Sequence, residues 1–192
     1  MTLTPIEIAL VVLVLLLGVI AMLVIMRKRH SERLKSRFGA EYGRAVHETG
    51  DERKAEAILA ERQKRVSSYT IKPLSAEMRA HYIETWRSVQ AQFVEDPRYA
   101  VTRADDLLGE VMASRGYPVH DFAQRADDLS VDHADVVQHY RTGHDIAGNR
   151  RGEATTEDLR TAMIHFRALF DDLVNEPDNL ARRPVVSENS RT

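Results

Sequence analysis

Apolar positions divide this chain into two unlike regimes. From Ile8 to Met26 it reads IALVVLVLLLGVIAMLVIM, 19 residues without a charge. From Arg27 onward, apolar side chains instead recur every three to four positions among charged ones, the spacing of amphipathic helices. No stretch alternates convincingly at period two, so no sheet is predicted.

Punctuation marks the helices of the second regime. Glu41 to Thr49 forms a short helix ended by Gly50, and Asp51 suits the N-cap of a helix reaching about Val66. There Ala55, Ile58, Leu59, Arg62 and Val66 give only a thin stripe, which predicts a charged stalk. Residues 67–74, ending at Pro73-Leu74, read as a linker. Ser75 then caps a helix with Met78, Tyr82, Ile83, Trp86, Val89, Phe93 and Val94 at helical spacing. Asp96-Pro97 restarts the chain as an N-cap followed by a first-turn proline. The helix it opens carries Ala100, Val101, Ala104, Leu107, Leu108, Val111 and Met112, and Gly116 terminates it. Asp121 to Leu129 reads as a short helix, and Ser130 as the cap of another with Val136, Val137 and Tyr140 inside. Thr155 or Thr156 opens the last helix, with Leu159, Met163, Phe166, Phe170, Leu173 and Val174 on one face. The predicted fold is all-α: an N-terminal transmembrane helix, a charged helical stalk, and a four-to-five-helix antiparallel bundle.

A helix over 8–26 is about 28 Å long, close to the thickness of a bilayer's hydrocarbon core. A cleaved signal peptide would need a basic leader and a small-residue cleavage site. Met1 to Glu7 has no basic side chain, and the run ends in Val-Ile-Met. Arg27, Lys28, Arg29, Arg33, Lys35 and Arg37 follow it against a single acid, Glu32. That bias predicts a cytoplasmic domain at the inner membrane of a bacterial cell, with the N-terminus outside. The same six residues are the candidates for contact with anionic headgroups.

Charge and cysteine narrow the chemistry. All 27 basic side chains lie at or beyond Arg27 and face 28 of the 29 acids, so the polar part carries about one negative charge. Such a domain has no global field for nucleic acid, and that partner class is set aside. The absence of cysteine removes disulfides, thiolate nucleophiles and zinc–thiolate sites.

His133, His139 and His144 do not share a helical face, and no HExxH pattern occurs, so no metal is predicted and these rings read as solvated. The pairs Asp105-Asp106, Asp127-Asp128 and Asp171-Asp172 each read as spanning a hydrated face, not as catalytic dyads. No glycine-rich phosphate loop or nucleophile elbow is present, and no cofactor is expected. The segment Arg115-Gly116-Tyr117-Pro118-Val119 is more suggestive, because loops on rigid scaffolds often carry recognition residues. With Asp132, His133, Tyr140 and Arg141, Arg115 and Tyr117 outline a candidate partner groove. The alternative is that Tyr117 and Pro118 plug the end of the bundle.

Several segments together resemble an uncharacterised bacterial family of single-pass membrane-anchored helical proteins, often labelled hypothetical or secreted. They are Arg37-Phe38-Gly39 with Glu41-Tyr42, the stretch Ala55 to Arg62, Trp86 with Gln90, Phe93 to Pro97, Arg115 to Val119, Leu129 to His133, and Thr156 to Leu173. The resemblance runs from about Leu34 to Val174 and implies architecture without an activity.

The expected organisation is a tail over 1–7, a transmembrane helix over 8–26 and a basic flank over 27–37. A stalk and linker over 38–74, a bundle over 75–175 and a disordered tail over 176–192 follow. The expected function is a membrane-anchored interaction module, with the bilayer and a protein as partners and oligomeric state open. Its rivals are a membrane-associated enzyme using Asp and His near 127–135 and a structural envelope protein.

Overall fold

The computed structural model describes residues 5–118, 121–148 and 154–175, without the side chains of 5–9, 11 and 12. The expected tail over 176–192 lies outside them. Among the described residues there are eight helices and no strand, so the protein is all-α.

The first helix, α1, runs unbroken from Pro5 to Phe38 and joins the apolar run to the basic flank. Gly39 turns the chain into α2 (Ala40–Thr49), and Gly50 ends α2 in a left-handed conformation. Asp51 accepts from the backbone N–H of Arg53 and Lys54 and so starts α3 (Glu52–Ser67). Ser75 and Asp96 cap α4 (Ala76–Gln92) and α5 (Pro97–Arg115) in the same way. Asp121 caps α6 (Phe122–Asp132), which meets α7 (Ala134–Ala147) at His133 with no intervening loop. Ser130 is therefore not a cap; its hydroxyl bonds back to the Asp127 carbonyl inside α6, at 2.6 Å. A reciprocal Thr155–Asp158 capping pair opens α8 (Thr156–Asn175).

Two apolar clusters organise these helices. The larger draws on α4 to α8, and Trp86 stacks on Phe170 within it at 4.6 Å between ring centroids. Against α8, α7 places Gly143, where a Cβ would lie 2.7 Å from the Phe166 ring. Only glycine allows that approach. The smaller cluster joins Leu34 and Phe38 of α1 to Tyr42, Ala45, Leu59 and Val66, and reaches Val131 of α6. Tyr69 and Ile71 pack against both clusters.

Two expectations change. The region over 38–74 is not a free stalk, because Ala55, Leu59, Arg62 and Val66 are buried while Ile58 faces outward. The thin stripe suffices because its partners are also narrow: the end of α1, all of α2 and one side of α6. Among the described residues no helix is long and apolar enough to cross a membrane. The expected span over 8–26 thus finds no support in the described residues.

Candidate functional site: a buried ionic seam

Where α2 and α3 meet α6 and α7, apolar packing gives way to charge. Glu41, on α2, is 1% exposed. Arg141 of α7 donates to it through Nε and Nη2, both at 3.2 Å, and Gln138 donates one turn earlier. Arg62 of α3 approaches the same carboxylate at 3.5 Å. Arg62 and Arg141 also share the Asp127 carboxylate of α6, each at 2.9 Å. Arg62 and Arg141 therefore each bridge both carboxylates inside one interface, and Arg44 reaches Glu41 from the more exposed side at 3.7 Å. Desolvation lowers the Arg62 pKa, opposed by the charges of Asp127 and Glu41; arginine nonetheless stays protonated at neutral pH.

The seam continues along α6. Asp128 is buried and accepts from Arg65 Nε at 2.8 Å and from the Tyr69 hydroxyl at 3.1 Å. Burial and the Asp128 charge raise the Tyr69 pKa. Arg37, at the end of α1, donates to the Val131 carbonyl at 3.1 Å and to Asp132 at 3.0 Å. Asp127, Asp128 and Asp132 thus each hold an arginine from α1 or α3. A carboxylate bound in this way is an anchor point and a poor general base.

The six residues expected around a partner groove are divided among interior environments. Arg115 is buried and donates to the Leu173 carbonyl at 2.9 Å, near the end of α8. Tyr117 is buried with its ring 6.4 Å from that of His133. His133, expected on the surface, is 6% exposed, and its Nδ1 lies 2.5 Å from Asp172. Asp132 and Arg141 belong to the seam. Tyr140 reaches Asp105 at 3.1 Å, and burial together with the Asp105 charge pushes its pKa far up. The structure brings Tyr117 and His133 together, and Asp132 and Arg141 into one seam.

The acid pairs separate in the same manner. Asp105 takes Tyr140 and lies 3.7 Å from Arg125, while Asp106 is exposed beside Arg103. His139 and His165 face each other across α7 and α8, with 2.8 Å between their Nδ1 atoms. No group of three or more potential metal ligands occurs among the described residues.

Of the basic flank, Lys35 pairs with Glu52 at 2.8 Å and Arg37 is committed to α6. Sequence reasoning missed Glu41 and the pairing role of Arg62. A signal existed: Arg62 falls on the apolar stripe of its own helix, where an unpaired cation is costly.

Fold and seam define a class: an all-helical protein in which α2 and α3 are tied to α6 and α7 through buried ion pairs, and the end of the long first helix packs beside them through Leu34 and Phe38. No protein family, curated protein or solved structure matches the chain.

Proposed function

We propose that this chain is a membrane-anchored helical module, with the apolar part of α1 in the bilayer and the helical domain at the cytoplasmic face. The observation that carries the reading is the exposure of α1. Its twelve large apolar side chains from Leu13 to Met26 are each 48–66% exposed, on every side of the helix. Leaving a dozen such groups in water forgoes on the order of 20 kcal/mol of burial. That exceeds the whole stability of an ordinary domain, about 5–15 kcal/mol. Lipid covers such a surface on all sides at once, and the uncharged run of 19 residues is long enough for it. The basic residues from Arg27 to Arg33 set the direction by the positive-inside rule.

The domain then serves as a docking body held close to the inner leaflet. Val94 and Tyr99 support contact with a protein partner, because they leave apolar surface exposed in the α4–α5 turn and on the first turn of α5. The test uses the natural lack of cysteine. A Glu84→Cys variant is expected to stay with membranes after alkaline extraction. It is expected to react with an impermeant maleimide only after cell lysis. Release from the membrane would remove the anchor, and labelling in intact cells would reverse the orientation.

A further inference from the structure

A cleft of about 500 Å³ opens between α1 and the first turns of α3, at the level where the apolar run ends. On α1 it is lined by Val24, Arg27, Lys28, Ser31, Glu32 and Lys35, which recur every three to four residues and so share one face. Glu52, Arg53 and Glu56 of α3 form the opposite wall. The floor is apolar at Val24 and the walls carry both signs of charge.

Some of that charge is already engaged. Lys35 and Glu52 hold each other, and the Tyr42 hydroxyl donates to Glu52 at 2.7 Å and to Glu56 at 3.0 Å. The side chains of Lys28, Glu32 and Arg53 make no ion pair or hydrogen bond with another described residue. Arg27 acts on Glu52 only through its field. Setting the Lys35–Glu52 pair aside leaves three cations and two carboxylates, Glu32 and Glu56, in one recess. A purely anionic ligand would meet both acids. A ligand carrying a phosphate and an ammonium a few bonds apart satisfies both sets.

We propose that this cleft holds the headgroup of an aminophospholipid, its phosphodiester against Arg27, Lys28 and Arg53 and its primary ammonium against Glu32 and Glu56. The inference rests on the membrane-anchor reading, which sets the depth of the cleft. Arg27 directly follows Met26, and the polar layer of a leaflet is about 5–8 Å deep. At about 1.5 Å per residue, Arg27 to Ser31 lie within that layer and Lys35 and Arg37 lie beyond it. Val24 would then meet the first acyl carbons. A choline headgroup fits less well, because its quaternary nitrogen has no N–H to donate to the two glutamates.

The test is native mass spectrometry of the full chain in detergent, offered equal amounts of phosphatidylethanolamine, phosphatidylglycerol and phosphatidylcholine. One phosphatidylethanolamine is expected to be retained at about tenfold enrichment over each competitor, the ratio that 1.4 kcal/mol supports. Arg53→Glu reverses a cation on α3, outside the anchor, and is expected to abolish the enrichment with helicity unchanged. Arg29→Glu makes the same charge change outside the cleft and is expected to preserve it. Equal retention of the three lipids overturns the proposal, as does enrichment that survives Arg53→Glu. Equally tight retention of soluble glycerophosphoethanolamine would move the ligand into solution and overturn the lipid assignment. Flotation of the chain with phosphatidylcholine vesicles reads the anchor separately. A chain that floats without headgroup selectivity keeps its anchor and loses the cleft.

Discussion

Replacing Glu41 by alanine tests whether the ionic seam holds α2 and α3 to the bundle. The change removes the two Glu41 oxygens that accept from Arg141 and leaves Arg62 and Arg141 facing Asp127 alone. Each of these arginines is only 9% exposed, so water cannot replace the lost carboxylate without opening the interface. Taking one partner from a buried pair costs about 3–5 kcal/mol, a large share of a stability of about 5–15 kcal/mol. In a chain of this size each kcal/mol moves Tm by about 2–4 °C, so a fall of about 6–20 °C is expected. The assay is urea and thermal unfolding of the full chain in mild detergent, followed by far-UV circular dichroism and by the fluorescence of the single tryptophan, Trp86. Trp86 lies in the larger cluster and Glu41 beside the smaller one. Coincident transitions would show one cooperative unit; an early circular dichroism transition that Trp86 does not follow would show the seam opening first. A loss below about 1 kcal/mol, the value of an exposed pair, would refute the reasoning.

Gly116 has φ of +98°, and a Cβ there would lie 2.3 Å from the Thr70 carbonyl oxygen. Gly116→Ala is therefore expected to destabilise by about 2 kcal/mol or more in the same unfolding assay, through αL strain and displacement of the 68–75 segment. His144 stacks on Phe122 at 3.4 Å and sits 3.9 Å from Asp105, with Arg125 and Asp145 also acting on it. Desolvation lowers its pKa below 6.5 despite the two acids. Between that lowered value and 6.5 the unfolded chain binds a proton that the native state does not. Stability contributed by neutral His144 is thus full above pH 6.5 and falls as pH drops through this window. His165 shifts in the same direction, so the measurement is the difference between wild type and His144→Asn, whose pH slope is expected to be shallower.

The helices were legible because their ends are written locally. Asp51, Ser75, Asp96 and Asp121 each accept from backbone N–H groups two or three residues on, and Gly50 and Gly116 supply left-handed ends. Periodicity likewise places the buried face of α8, including Phe166 and Phe170. Tertiary pairing was less legible. The bond from Glu41 to Arg141 spans 100 residues, and no local pattern distinguishes Glu41 from a solvated acid. Asp127 and Asp128 look like any hydrated pair until α3 brings Arg62 and Arg65 against them. His133 reads as surface because its burial comes from Tyr117 and α8, not from its own helix. The stalk expectation failed for a related reason: a narrow stripe signals weak burial only when its partner is broad.

On the proposed anchoring, the junction of α1 with the domain settles how much of that helix's orientation reaches the bundle. A loose basic flank would uncouple the domain from the apolar run, whereas α1 crosses that flank as one helix. Leu34 and Phe38 bury into the smaller cluster, and Arg37 fastens the last turn to α6. Beside them, Arg33, Lys35 and Ser36 remain exposed. Single cysteines at positions 33 to 38 in the cysteine-free chain should therefore react in a helical pattern. Positions 34 and 38 are expected to be protected from maleimide by at least about tenfold, since reaction there requires local opening costing more than about 1.4 kcal/mol. Positions 33, 35 and 36 should react as exposed thiols. Uniform fast labelling would mean that the helix frays before it reaches the domain, and that the anchor is only a tether. The expected pattern would mean that tilt and rotation of α1 are passed to the bundle through Leu34, Arg37 and Phe38, so that on the proposed anchoring the bilayer would set which face of the domain a proposed partner meets.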